Sequence, residues 1–189
     1  MPTIIAHSFT GVVSGLAVYE KSFPKRFWLF SIICSIIPDA DVICFELGFS
    51  YGHFLGHRGF FHSLFFACIL GSFMGILFMG AKNPEWKKRL FFAVYFSFLI
   101  SLHDILDAFT NGGLGIALLS PFDTTRYFSP FTPIKVSPIN PYTFFDGRAL
   151  NILKNEVLWV WLPSVCIALV FRYIVSRTRR KRRSYRLIE

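Results

Sequence analysis

Five apolar segments divide the chain, and they constrain its fold more than any other feature. Each is close to the roughly 20 residues that an α-helix needs to cross a bilayer. They cover residues 3–19, 27–47, 60–79, 90–109 and 157–175. A soluble domain of 189 residues could not bury so much apolar surface, since 53% of its residues are hydrophobic. The sequence predicts an all-α, polytopic membrane helical bundle with about five transmembrane helices, formed by residues 1–189 as a single domain.

Lys and Arg residues predict the orientation of these helices. Of the 20 in the chain, 15 lie in the linker before the second segment, in the linker before the fourth, and from residue 172 onward. Basic loops are retained in the cytoplasm, so we expect the N-terminus outside and the C-terminus inside. Residues 176–189 then form a basic cytoplasmic tail that contacts anionic lipid. No base-stacking or base-reading module accompanies this charge, and we expect no nucleic-acid partner.

The connection between the fourth and fifth segments, residues 112–156, is predicted to lie on the external side. It holds five of the ten prolines and is rich in Phe and Tyr. Proline disfavours helix, and aromatic rings prefer the membrane interface. We expect these residues to form an ordered, non-helical external cap.

Ionisable side chains reach the outer ends of four segments, at one level of the predicted bundle. Inside a membrane segment such a group costs several kcal/mol unless it is paired, hydrated or bound to an ion. A divalent cation would relieve repulsion among the carboxylates, and neutral imidazoles would complete its ligand set. Zn²⁺ suits this mixture best, as one or two ions, and Mn²⁺ or Fe²⁺ would also be accepted. The candidate metal ligands are His7, Asp39, Asp41, His62, His103 and Asp107.

Local spacing supports the metal hypothesis. His103 and Asp107 are four residues apart, which places them on one helical face about 6 Å apart along the axis. Asp104 points about 100° away, where it could orient an imidazole or accept a proton. Pro38 is expected to break the second segment, so that Asp39 or Asp41 faces the metal where the helix opens.

The stretch HRGFFHS, residues 57–63, is predicted to form one wall of the pocket. His62 is the favoured ligand, and His57 is either a second ligand or a donor to the substrate. Arg58 offers a fork of donors that matches a phosphate, and Gly59 would allow a turn that brings it over the site. In the cap, Arg126 and Lys135 either bind the charge of the substrate or anchor the chain at the interface.

Each of these motifs also has an ordinary structural interpretation. A single His in an apolar helix is more often packed than metal-bound, and the PDAD stretch could be a capped helix end. HRGFFHS could be a turn that caps the next helix, and His53 lies in a glycine-containing loop where a surface role is at least as plausible. Convergence of all four segments on one level is what favours the metal site.

At these residues the sequence resembles the YdjM-type inner membrane proteins, which are predicted membrane-bound metal-dependent hydrolases. His7, PDADV, HRGFFHS and HDILDAFTNGG carry the resemblance, over residues 1–122. The family is distantly similar to the all-helical group of zinc-dependent phospholipase C and P1 nuclease. That similarity implies His7, one of Asp39 and Asp41, His62, His103 and Asp107 as ligands. No His follows His103, so one or two metals are expected in place of three.

The expected function is a membrane-embedded, metal-dependent hydrolase, phospholipase-like, acting at the extracytoplasmic face. Its substrate would be a phospholipid or a lipid-linked phosphate, attacked by metal-activated water. Asp41 or Asp104 would accept the proton, and Arg58, His57 and Arg126 would bind the substrate. A metal-ion or proton-coupled transporter is the competing class, but His and Asp are missing from the cytoplasmic halves of the segments. A non-catalytic membrane protein with a structural metal uses the same residues.

Overall fold

The computed structural model describes residues 1–80, 85–138 and 149–185, with side chains given up to residue 178. Its helices are α1 (Ile4–Val18), α2 (Arg26–Ile36), α3 (Ile43–Glu46), α4 (Leu64–Met79), α5 (Trp86–Ala108), α6 (Ala149–Glu156) and α7 (Leu162–Tyr185). Short 3₁₀ turns cover Ile37–Val42 and Phe60–His62, and a π-helical turn, Val157–Trp161, joins α6 to α7. No β-strand forms within the described ranges. The predicted all-helical class is confirmed.

Three helical stretches are long and apolar enough to span a membrane. They are Arg26–Glu46, Trp86–Ala108 and Ala149–Thr178. Helices α1 and α4 are apolar but have only 15 and 16 residues. At 1.5 Å per residue they reach about 22–24 Å, short of the roughly 30 Å hydrocarbon core. The count of five spans and their orientation therefore stay predictions.

Glycines let α4 and α5 pack closely. A Cβ at Gly71 would collide with Ser97, and one at Gly75 would lie 2.6–3.0 Å from Ala93. Small residues spaced four apart on both helices allow the close backbone approach that membrane helices use for association. This pairing holds α5 beside the 3₁₀ turn Phe60–His62, which comes directly before α4.

Aromatic side chains fill the half of the bundle opposite to the polar cluster. The buried members are Phe27, Phe78, Phe92, Tyr95 and Phe96, at the start of α2 and α5 and the end of α4. The Phe78 and Phe92 ring centroids are 4.4 Å apart. Ser31 adds polar contacts to this packing, since its hydroxyl donates to the Phe27 carbonyl at 2.9 Å and lies 3.0 Å from the Tyr95 hydroxyl.

The cap differs in part from its prediction. Residues 112–138 are non-helical, as expected, and backbone hydrogen bonds hold them, with Ile116 and Tyr127 exchanging a pair at 2.9 Å. The expectation of a wholly non-helical cap is wrong for α6. The sequence ALNILKNE contains no proline and buries one face through Ile152 and Glu156. Residues 139–148 lie outside the described part.

Candidate metal centre

Four side chains from three elements converge on one buried point. Asp39 lies on the 3₁₀ turn after α2, and His62 ends the 3₁₀ turn before α4. His103 and Asp107 lie one turn apart on α5. One ligand atom from each falls within 4.8 Å of all the others. The predicted break at Pro38 is confirmed, since α2 ends at Ile36.

The interatomic distances match those of ligands around a shared ion. His103 Nε2 lies 3.4 Å from Asp39 Oδ1 and 3.3 Å from His62 Nε2. His62 Nε2 lies 3.6 Å from Asp39 Oδ1 and 3.9 Å from Asp107 Oδ2. Four N or O ligands about 2.0–2.1 Å from a tetrahedral Zn²⁺ would be roughly 3.3–3.5 Å apart. The residues present therefore fit a divalent cation in size and in ligand type.

Protein oxygen atoms lie near Nδ1 of both imidazoles, opposite to the Nε2 atoms that meet Asp39. His103 Nδ1 donates to the Ser35 carbonyl at 2.8 Å, which leaves Nε2 free to act as a ligand. His62 Nδ1 lies 3.0 Å from Asp41 Oδ2, an ion-pair distance without well-aligned hydrogen-bond geometry. Both Nε2 atoms then face Asp39 Oδ1 with lone pairs. A proton or a cation is needed between such groups, as in metal sites whose imidazoles are held from behind.

Several buried polar atoms in the cluster have no hydrogen-bond partner among the described residues. Both carboxylate oxygens of Asp39 belong to this set, and so do Asp107 Oδ1 and both ring nitrogens of His7. A buried carboxylate without a donor loses its hydration and receives nothing in exchange. A bound cation would supply the missing interaction.

His7 lies beside the four-residue group. Its ring stacks on His103 at a centroid distance of 3.8 Å, and its Nε2 is 3.3 Å from Asp107 Oδ1. Asp107 thus lies between His7 on one side and His62 on the other. The sequence predicts His7 as a metal ligand; it contacts Asp107, but the four-residue group does not include it, and its role as a ligand stays a prediction.

Asp41 lies behind His62. Its Oδ1 is 2.7 Å from His57 Nδ1, and its Oδ2 accepts from the backbone N–H of Arg58 at 3.1 Å. Asp41, His57 and His62 form a second, smaller group that could hold an ion. The four-residue group therefore includes Asp39 and His62, whereas Asp41 and His57 lie outside it, in the smaller group.

Arg58 is fully buried inside the protein. Its Nε donates to Asp107 Oδ2 at 3.0 Å, Nη1 to the Gly112 carbonyl at 2.7 Å and Nη2 to Thr110 Oγ1 at 2.8 Å. Arg58 itself adopts the left-handed conformation, with φ of 63°, which is uncommon for a residue other than glycine. Gly59 contributes space, because a Cβ there would collide with the carbonyls of Phe54 and Gly56.

The remaining candidates fall in different surroundings. Asp104 is fully buried, and neither carboxylate oxygen has a hydrogen-bond partner in the described part of the chain. Arg126 donates to the carbonyls of His57, Tyr51 and His53 at 2.9, 3.0 and 3.2 Å. Partial burial lowers the pKa of the Arg126 guanidinium and raises that of the Tyr51 phenol beneath it.

Ser35 and Thr110 support the site and were not predicted from the sequence. Ser35 orients His103 through its carbonyl, and Thr110 binds Arg58 while donating to the Asp107 carbonyl at 2.7 Å. Their spacing offered a signal, since Ser35 lies four residues before Asp39 and Thr110 three residues after Asp107.

Comparisons with known proteins agree with the predicted resemblance. The family described as YdjM inner membrane protein matches residues 1–180. Inner membrane protein YbcI of Escherichia coli (strain K12) is 34% identical over 169 residues, which are 88% of this chain and 95% of that protein. No solved structure matches the chain. The similarity therefore extends beyond residues 1–122, through the cap and into α7.

Proposed function

The chain belongs to the YdjM inner membrane protein family and is an inner membrane protein, and we propose that it is a metal-dependent hydrolase. We place its substrate among the phosphoesters of phospholipids or lipid-linked phosphates, at the extracytoplasmic face. The observation that carries the proposal is the convergence of Asp39, His62, His103 and Asp107, where both Asp39 oxygens and Asp107 Oδ1 have no hydrogen-bond partner among the described residues.

Asp39, His62, His103 and Asp107 would hold the ion. Two imidazoles and two carboxylates suit Zn²⁺, and Mn²⁺ or Fe²⁺ accept the same donors. When bound, a divalent cation would supply Lewis acidity, which lowers the pKa of its bound water to about 7.

Arg58 and Asp41 position ligands in this proposal. The Arg58 guanidinium balances the charge of Asp107 and fixes its carboxylate plane. Asp41 keeps His62 oriented through Nδ1 while it also binds His57. Because the donors of Arg58 and His57 are directed at protein acceptors, we assign both to the support of the ligands, in place of the direct substrate contact expected from the sequence.

Asp104 is the better of the two proposed proton acceptors. Asp41 already interacts with His57, His62 and the Arg58 backbone, whereas the described residues give Asp104 no donor. Asp104 is also near enough to His62 and His103 to interact with both electrostatically. An uncommitted carboxylate beside a metal site is suited to general-base work.

Packing in the other half of the bundle favours a hydrolase over a transporter. An ion or proton route needs polar groups through both halves of the membrane. Phe27, Phe78, Phe92 and Phe96 fill the half opposite to the cluster among the described residues. A polar path from the cluster through this aromatic packing is therefore not favoured.

A structural metal is the second candidate, and one observation supports it. All four ligand residues are at most 8% exposed, and four protein ligands match the closed shell of structural zinc sites. A catalytic site keeps one position open.

The test is lipid hydrolysis by the full-length protein in liposomes of mixed phospholipids with added Zn²⁺, Mn²⁺ or Fe²⁺. Mass spectrometry follows the release of headgroups, phosphate and fatty acids. We expect release of phosphate or a phosphorylated headgroup by wild type and by Ser129→Ala, and none by His103→Ala. Release of fatty acid alone would contradict phosphoester cleavage. Metal binding without any release would replace the hydrolase with the structural role.

A further inference from the structure

A cavity lies between the cap and the loop of residues 52–60, and none of the four metal ligands lines it. It has a volume of about 140 Å³ and separates the loop of residues 52–60 from the turn of residues 117–126. Three of the residues that line it are buried, namely Gly59, Ala117 and Ser120. Arg126, His53 and Thr124 also line it and bring a cation and two further donors. The residues that matter here are Gly59, Ala117, Ser120, His53, Thr124 and Arg126.

Ser120 gives the cavity a buried donor with nothing to bind. The residue is fully buried, and its hydroxyl has no hydrogen-bond partner among the described residues. Buried hydroxyl groups are nearly always paired. A ligand oxygen in the cavity would provide the missing acceptor.

Arg126 gives the cavity a positive charge that no described carboxylate pairs with. Its three hydrogen bonds go to backbone carbonyls of residues 51–57 and use three of the five guanidinium N–H groups. The nearby Asp123 carboxylate instead binds the Thr125 N–H at 2.8 Å and the Tyr127 hydroxyl at 2.9 Å. The guanidinium is therefore fixed in place with donors to spare.

Two further donors lie at the rim. His53 Nδ1 accepts from the Leu55 N–H at 3.1 Å, so in the neutral ring the proton is on Nε2. Thr124 adds a hydroxyl. A small cavity with one cation and several neutral donors suits a compact anion with several acceptor oxygens, and a guanidinium fork is the usual partner of phosphate.

We propose that this cavity is a phosphate-binding subsite, in which Arg126 and Ser120 bind the phosphate of a lipid headgroup or of a soluble phosphate ester. The choice of phosphate rests on the proposed function, since the substrate proposed there is a phosphoester. A chain of contacts through His57 and Asp41 links the subsite to the metal centre. Arg126 binds the carbonyl of His57, whose ring binds Asp41 behind the metal ligand His62.

The experiment measures binding to full-length protein in detergent by calorimetry, after metal removal with a chelator. The probes are inorganic phosphate and dihexanoyl phosphatidic acid. We expect Arg126→Gln to raise the Kd for both probes about tenfold or more, and Ser120→Ala to raise it about threefold to tenfold. Ser129→Ala, a cap serine outside the cavity, should bind as wild type does.

Measurements of Tm distinguish a variant that no longer binds the probe from a variant that no longer folds. The Ser120 hydroxyl makes no bond within the described protein, so Ser120→Ala should have a ligand-free Tm at or above that of wild type. Tighter binding of phosphatidic acid than of phosphate identifies a lipid headgroup as the source, and equal binding identifies the soluble anion. Unchanged Kd values in both variants, or binding that disappears with the chelator in wild type, would overturn the subsite.

These outcomes differ from failure of the proposed function. Binding that depends on Arg126 and Ser120, without lipid hydrolysis by the metal-loaded protein, would remove the hydrolase and keep the subsite. Lipid hydrolysis that neither substitution changes would remove the subsite and keep the hydrolase.

Discussion

Replacing Arg58 tests how the metal centre balances its buried charge. Arg58→Met keeps much of the side-chain volume but leaves Asp107 without its cation, and it removes donors from Thr110 and Gly112. Removing one partner of a fully buried ion pair costs about 3–5 kcal/mol. For a chain of this size that corresponds to a fall in Tm of about 6–20 °C.

Thermal unfolding in detergent, followed by Trp fluorescence, measures this fall with chelator and with saturating Zn²⁺. A cation at the centre would also balance Asp107, so the loss caused by Arg58→Met should be smaller with Zn²⁺. Arg58→Lys keeps the charge but not the three-way fork, and its Tm should be intermediate. A Tm equal to that of wild type in chelator, or a loss that Zn²⁺ leaves unchanged, would refute the role of Arg58.

Two further predictions concern the support of the site and the packing of the bundle. Asp41→Asn should weaken metal affinity roughly 10–100-fold without abolishing binding, because Asp41 orients His62 from behind. Competition with a fluorescent zinc chelator measures the affinity. Complete loss of metal binding would instead make Asp41 a ligand. Gly71→Leu should destabilise the protein by at least about 1–3 kcal/mol, because its side chain would collide with Ser97 on α5. The exposed neighbour provides the control, Ser72→Leu, and equal Tm values for the two variants would contradict close α4–α5 packing.

Much of the site follows from the sequence because its residues are rare in their surroundings. Ionisable groups in apolar segments are costly, so their agreement in level across several segments predicts a common site. Asp39, His62, His103 and Asp107 do meet. The break at Pro38 was also predictable, since proline cannot continue the hydrogen-bond ladder of a helix.

Other features depend on contacts between distant parts of the chain. Asp39 and Asp41 are chemically equivalent in the sequence, and the 3₁₀ geometry of Ile37–Val42 decides which of them faces His103. The burial of Arg58 depends on Thr110 and Gly112, about fifty residues away. No local pattern distinguishes such an arginine from one that awaits a substrate.

Helix lengths and the structure of the cap are also only partly predictable from the sequence. Apolar runs mark where helices can form, yet α4 begins after the turn that places His62, which shortens it to 16 residues. Proline content predicted an irregular cap, and this holds for residues 112–138. It failed at α6, where a proline-free stretch continues into the helical segment that follows.

The metal content of the purified protein shows whether Asp39, His62, His103 and Asp107 bind a cation. Elemental mass spectrometry of the purified full-length chain would compare wild type, Asp39→Asn, His103→Ala and the exposed-loop control His53→Ala. We expect at least one divalent cation per chain in wild type and in His53→Ala, and little or none in Asp39→Asn and His103→Ala. Equal metal content in all four proteins, or no metal in wild type, would contradict it.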